Sequence, residues 1–105
     1  MTKLHQKEIE NITKQIVKKY KPEKIILYGS FAYGKPKSNS DIDLLIIKKT
    51  NKRKVERIKE ILMKIKSDLP LEPLVYSPKE CRERLNLGDF FFLDIFKKGK
   101  VLYEK

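Results

Sequence analysis

The chain has 105 residues, 40% hydrophobic and 37% charged, and its 25 Lys and Arg outnumber 14 Asp and Glu for a net charge of +11. That balance describes one folded, soluble domain, and it excludes a disordered tail, a collagen-like repeat and a second independent core. The longest apolar runs, 25–28, 44–47 and 90–93, have four residues, far short of the roughly 20 that cross a bilayer, so neither a membrane span nor a secretory signal is expected.

Ile9, Ile12, Ile16, Val17 and Tyr20 step by three and four, which predicts an amphipathic helix over 4–20, ended by Pro22. The β-branched run 24–28 stops at Gly29-Ser30 and reads as a buried strand. Gly34, Pro36, Ser38, Asn39 and Ser40 mark a loop, after which 41–47 reads as a second, central strand with carboxylates at its entry. Asn51 is the expected cap of a helix whose apolar positions Val55, Ile58, Leu62, Ile65 and Leu69 repeat until Pro70. A third strand over 71–76 contains Pro73, which consigns it to an edge or a bulge. Ser77-Pro78-Lys79-Glu80 is a capping box with Pro at the first helical position, opening a helix to about Leu87. A last helix over 89–98 ends at Gly99, and a short strand follows over 100–103. Helices alternating with strands predict an α/β (α+β) domain over 1–105, a small mixed sheet of about four strands flanked by helices.

The cations are unevenly spread. Of the 25, 21 are Lys; residues 48–66 hold nine basic and two acidic side chains, and residues 1–24 hold seven and three. Such a distribution suits a basic face for RNA, DNA or an acidic partner, and equally a solvated Lys-rich surface. Cys81 is the one cysteine, so no internal disulfide or multi-cysteine metal site can form, which fits a reducing, cytoplasmic setting. It reads as a small buried residue, and His5 has no second His to share a metal with. Tyr20, Tyr28, Tyr76 and Tyr103 are expected to be half-buried at element ends.

Chemistry concentrates between residues 28 and 47. Gly29 to Lys35 satisfies G-x-x-x-x-G-K after a strand, but Pro36 stands where a phosphate-binding loop needs Ser or Thr for magnesium. Pro36 also disfavours helical geometry at Lys35, so the loop cannot lead straight into a phosphate-cradling helix. A second arrangement joins Gly29-Ser30 to Asp41 and Asp43. Residues two apart on a strand share a face roughly 6 to 7 Å apart, so the two carboxylates can converge on one or two divalent cations. Placing like charges together at the start of an apolar strand is costly without such cations. An EF-hand is excluded because Leu45 holds the third ligand position. Gly29 permits close backbone approach to a phosphate, and Ser30 adds a hydroxyl and a backbone N–H at a helix start.

Together these pieces spell G-S-x10-D-x-D, both ends abutting predicted strands. This resembles the nucleotidyltransferase superfamily related to DNA polymerase beta, and within it the minimal, antitoxin-type nucleotidyltransferases often paired with a HEPN-domain protein. The resemblance implies that Gly29 and Ser30 contact the terminal phosphates of a nucleoside triphosphate. It implies that Asp41 and Asp43 bind magnesium, two ions in all, and that a third carboxylate lies on a neighbouring strand. Glu72 is the one acidic residue on the predicted third strand and is the candidate, helping to deprotonate the attacking hydroxyl. Many relatives carry Arg where this chain has Tyr33, so that phosphate cation is either absent here or replaced by Lys35 or Lys37.

By the same resemblance, the expected reaction is transfer of AMP from ATP to a hydroxyl of a HEPN-type partner, neutralising a toxin, with the partner supplying the acceptor site. Two other classes stay open: a catalytically inactive protein of the same fold that silences its partner by binding, and a basic nucleic-acid-binding module. Phe90, Phe91 and Phe92 fan across about 200° of a helix, so one of them should be exposed. With Leu93, Ile95 and Phe96 they predict an apolar patch over 90–96 for a homo-oligomer or a helical partner.

Overall fold

The computed structural model describes residues 2–37 and 39–105. Ser38, part of the loop read from the sequence, lies outside the described residues. Helix α1 covers Lys3–Tyr20, β1 Lys24–Tyr28, β2 Ile42–Ile47, α2 Lys54–Lys64 and β3 Leu71–Tyr76. Helix α3 covers Pro78–Asn86, α4 Phe90–Lys98 and β4 Lys100–Glu104. The four strands form one mixed sheet in the order β3-β2-β1-β4, with β1 antiparallel to both β2 and β4 and β2 parallel to β3.

The two central strands are apolar on both faces because both faces are covered. Ile25, Leu27, Ile42, Leu44 and Ile46 pack under α1 and α2 with Ile12, Ile16 and Ile61. Ile26, Leu45 and Ile47 pack under α3 and α4 with Cys81, Phe92 and Ile95. Alternation along each strand thus divides one apolar run between two cores. Pro73 sits on the edge strand β3, where a missing backbone donor is tolerated.

Several expectations need correction. Helix α2 is capped by Arg53 without a side-chain bond, not by Asn51, and it ends at Lys64, five residues before Leu69. Its buried positions are Arg57 and Ile61, while Val55 and Leu62 are about half exposed. The shift follows from Arg57, whose Nη1 donates to the Val75 carbonyl (3.1 Å) and to Glu80 Oε1 (2.7 Å). Its Nε donates to the Lys52 carbonyl at 2.7 Å. A guanidinium with those partners at the sheet edge rotates the helix and leaves Val55 and Leu62 outside. Tyr20 is buried rather than half-buried, its ring covered by Lys48 Nζ at 5.1 Å. Two of the three consecutive phenylalanines are exposed, Phe90 at 87% and Phe91 at 49%, while Phe92 is buried.

Candidate active site

Strands β1 and β2 are antiparallel, so the end of β1 meets the start of β2; β3 starts there too, because it runs parallel to β2. The register is Tyr28 opposite Asp43 and Asp43 opposite Glu72. Side chains opposite one another in a ladder share a face, so Tyr28, Asp43 and Glu72 form one row across three strands. That face is the α3/α4 side, because Asp43 alternates with Leu45 and Ile47, and Glu72 with Leu74 and Tyr76. The helices cover the row's inner neighbours and leave its end of the face open.

Asp41 precedes β2, which begins at Ile42, where the backbone N–H donates to the Pro70 carbonyl at 2.8 Å. It therefore lies at the strand's mouth rather than in its ladder. Asp43 is half-buried, and its carboxyl is pushed up to about 6, first by burial and then by the charges of Glu72 and Asp41. Among the described residues no Lys or Arg pairs with Asp41, Asp43 or Glu72. In a chain with 25 cations, three neighbouring carboxylates have no salt-bridge partner among the described residues, and their mutual repulsion adds to the cost of ionising Asp43. Burial and then the Asp43 carboxylate push the Tyr28 hydroxyl well above its usual range, so it stays protonated beside them.

Gly29 has φ +75°, and a Cβ there would run into the Asp43 carboxylate. Only glycine gives this turn its conformation while admitting that carboxylate against the backbone. The N–H groups of Ala32 and Tyr33 both donate to the Gly29 carbonyl at 3.1 Å, and Lys35 N–H donates to the Ser30 carbonyl at 3.1 Å. Ser30 thus opens a single helix-like turn rather than a full helix. Its own N–H, its hydroxyl and the Phe31 N–H have no acceptor among the described residues. Phe31 is buried in the α1/α2 core, edge-on to His5 at 5.1 Å, and pins the turn from behind. After Gly34 the chain leaves the turn without entering a helix over 35–37, consistent with Pro36 barring a phosphate-binding helix.

Tyr33 turns to α4 and donates its hydroxyl to Asp94 Oδ2 at 3.4 Å. Lys35 and Lys37 are exposed nearby in sequence. The Tyr28 ring meets Phe91 edge-on at 5.6 Å, so the exposed start of α4 adjoins the carboxylate row. Nothing in the residue pattern assigned Phe91 or Asp94 to the site, because both arrive from a helix about 60 residues away in the chain.

A cavity of about 340 Å³ opens beside Tyr28 and Glu72 and runs to Ile58 and Leu62. Another, of about 360 Å³, lies behind Phe31 between α1 and β4, away from the carboxylates. Among the described residues no group of three or more His, Cys, Asp or Glu closes around one metal position. The donor set nevertheless fits magnesium, a hard cation that is commonly bound by one or two carboxylates together with substrate phosphates rather than by an all-protein cage.

A family model described as "Polymerase beta, Nucleotidyltransferase" matches residues 10–105. No curated protein and no solved structure matches the chain. The chain belongs to this nucleotidyltransferase family, whose members transfer nucleotidyl groups and generally use a nucleoside triphosphate with a divalent metal ion.

Proposed function

We propose that this member of the nucleotidyltransferase family transfers AMP from ATP, with magnesium, to a hydroxyl of a partner protein. The observation that carries the reading is the Tyr28–Asp43–Glu72 row beside Gly29, whose carboxylates have no salt-bridge partner among the described residues. Gly29 and Ser30 hold the terminal phosphates through the turn's free N–H groups and the Ser30 hydroxyl. Asp41 and Asp43 are the proposed magnesium ligands shared with the triphosphate, and Glu72 is the third. Bound magnesium supplies charge neutralisation on the triphosphate and lowers the pKa of the attacking hydroxyl. In this reading Glu72 takes the hydroxyl proton as the new bond to the α-phosphorus forms in line and pyrophosphate leaves. Tyr33 leaves the usual cation position to Lys35 or Lys37.

The partner reading rests on the start of α4. Phe90, Phe91 and the neighbouring Leu87 and Leu93 are exposed, and Phe91 touches Tyr28, the neighbour of Asp43. A protein seated on these side chains brings its own hydroxyl towards the carboxylates. By the family resemblance that protein is a HEPN-type toxin, the chain is its cytoplasmic antitoxin, and a second copy of the chain is the other candidate for the same patch. The experiment is incorporation of label from α-labelled ATP into a co-encoded neighbour with magnesium, beside an Asp41→Ala/Asp43→Ala control. Label should appear and fall roughly 10³-fold or more in the control. No label with any of the four nucleotides would leave the non-catalytic binding role as the better account.

A further inference from the structure

The basic excess remains unused by the transfer chemistry. It gathers at the opposite end of the sheet, where β2 ends and β3 runs into α3. One cavity of about 280 Å³ there is lined by five lysines, among them Lys19, Lys21 and Lys48, with Glu60 as its one carboxylate. Glu60 is already engaged by Lys52 at 3.0 Å and Lys64 at 2.9 Å. A second cavity, of about 450 Å³, adjoins it through the shared residue Thr50 and is lined by Lys49, Lys79 and Arg82 with no carboxylate. Among the described residues those three make no ion pair.

Several cations of the first cavity are fixed in place rather than loose. Lys48 Nζ donates to the Tyr20 carbonyl at 2.7 Å and the Lys21 carbonyl at 3.1 Å, and Lys19 Nζ donates to the Lys64 carbonyl at 3.1 Å. They hold a standing positive field at the rim while Lys49, Lys79 and Arg82 are free to bond. We propose that this end of the molecule binds the phosphate backbone of a nucleic acid, without reading its sequence. Two adjacent cavities that share Thr50, with eight cations against one carboxylate between them, match an extended ligand that carries a charge at every step. Seven of the eight are Lys, point-charge donors that neutralise phosphate without fixing its orientation, which suits backbone contact without sequence readout. No aromatic ring lines the second cavity, and the ring in the first, Tyr20, is buried under Lys48, so no base-stacking platform is present.

The test is fluorescence anisotropy with a labelled RNA of roughly 20 nucleotides and mixed sequence, titrated at several salt concentrations. Affinity should fall steeply with salt, with a log–log slope of about −3 or steeper, and a second sequence should bind equally. The exposed triple change Lys49→Glu/Lys79→Glu/Arg82→Glu should weaken binding more than tenfold and flatten the slope by about two, while leaving transfer activity and melting temperature in place. If that variant does not fold, the neutral Lys49→Gln/Lys79→Gln/Arg82→Gln change answers the same question. An unchanged slope in the folded variant overturns the proposal. So does loss of binding in Asp43→Ala, which would place the RNA in the transfer site. Equal competition by inorganic tripolyphosphate would reduce the surface to a small-anion site, and equal binding of polyglutamate would assign it to an acidic protein; either result overturns the nucleic-acid reading.

Discussion

At the end of the sheet where β3 runs into α3, Glu80 receives two hydrogen bonds from the Arg57 guanidinium, at 2.7 and 3.3 Å, and one from the Ser77 N–H at 2.7 Å. Its carboxyl is held down at about 2, chiefly by Arg57. At the other end, where β2 begins, Asp43 lies beside Glu72 and Asp41 with no salt-bridge partner among the described residues, and its carboxyl is raised to about 6, first by burial and then by those two charges. Burial raises both carboxyls and is the largest cause at Asp43; at Glu80 the Arg57 hydrogen bonds outweigh it. One carboxylate is thereby part of the scaffold, and the other is held at a cost that a bound cation would relieve.

Glu80→Ala removes the scaffold's counter-charge and leaves Arg57, 4% exposed, without its ion-pair partner. Breaking a buried pair from one side typically costs about 3–5 kcal/mol. A melting point lowered by more than 10 °C is expected in thermal unfolding, and a shift under 3 °C would show that the Arg57–Glu80 pair does not hold the fold. The wild-type pair is also pH-dependent. Because the Glu80 pKa is depressed, its stabilisation is complete above the ordinary carboxylate range and is lost as pH falls from about 4.5 towards 2.

Gly29→Ala probes the other end. The positive φ costs an alanine about 1–2 kcal/mol, and the new methyl displaces the Asp43 carboxylate. A melting point lower by roughly 5 °C and a transfer rate lower by more than tenfold are expected. Retention of full activity would separate Gly29 from the Asp43 site.

The smallest effect carries the opposite sign. Asp43 has its pKa raised on folding, so its ionisation costs stability as pH rises from about 4 through about 6. Asp43→Asn should therefore stabilise the metal-free protein at pH 7.5 by about 1 kcal/mol after solvent screening, or about 4 °C, and by nothing at pH 3.5. The same variant should lose transfer. Destabilisation at pH 7.5 would mean that Asp43 has an unrecognised protein partner. Where Glu80 supports the fold at neutral pH, Asp43 weakens it, and only magnesium should reverse that sign in the wild type.

Much of this was legible in the chain. The period of α1, the capping box at Ser77, Pro73 on an edge strand and the G-S-x10-D-x-D spacing depend on residues close in sequence, and local backbone geometry decides what they do. The register of Asp43 against Glu72 and Tyr28 was not legible, because it depends on which strands pair and in which direction. The burial of Arg57 was hidden too, since helical periodicity counts apolar residues and gives no place to a guanidinium with buried partners. Its being one of four Arg among 21 Lys was the available signal.

The amino-acid order by itself determined the elements, the apolar strands that had to be covered on both faces, and the short segment that carries the Gly29 turn and the first two carboxylates of the candidate site. The tertiary structure alone decided that Glu72 stands across from Asp43, that Phe91 and Asp94 reach the site from α4, and that Arg57 takes Glu80 while Asp43 is left without a cation. Charges are balanced by what lies beside them in space, and those neighbours are brought together by strand pairing and helix packing across long stretches of chain.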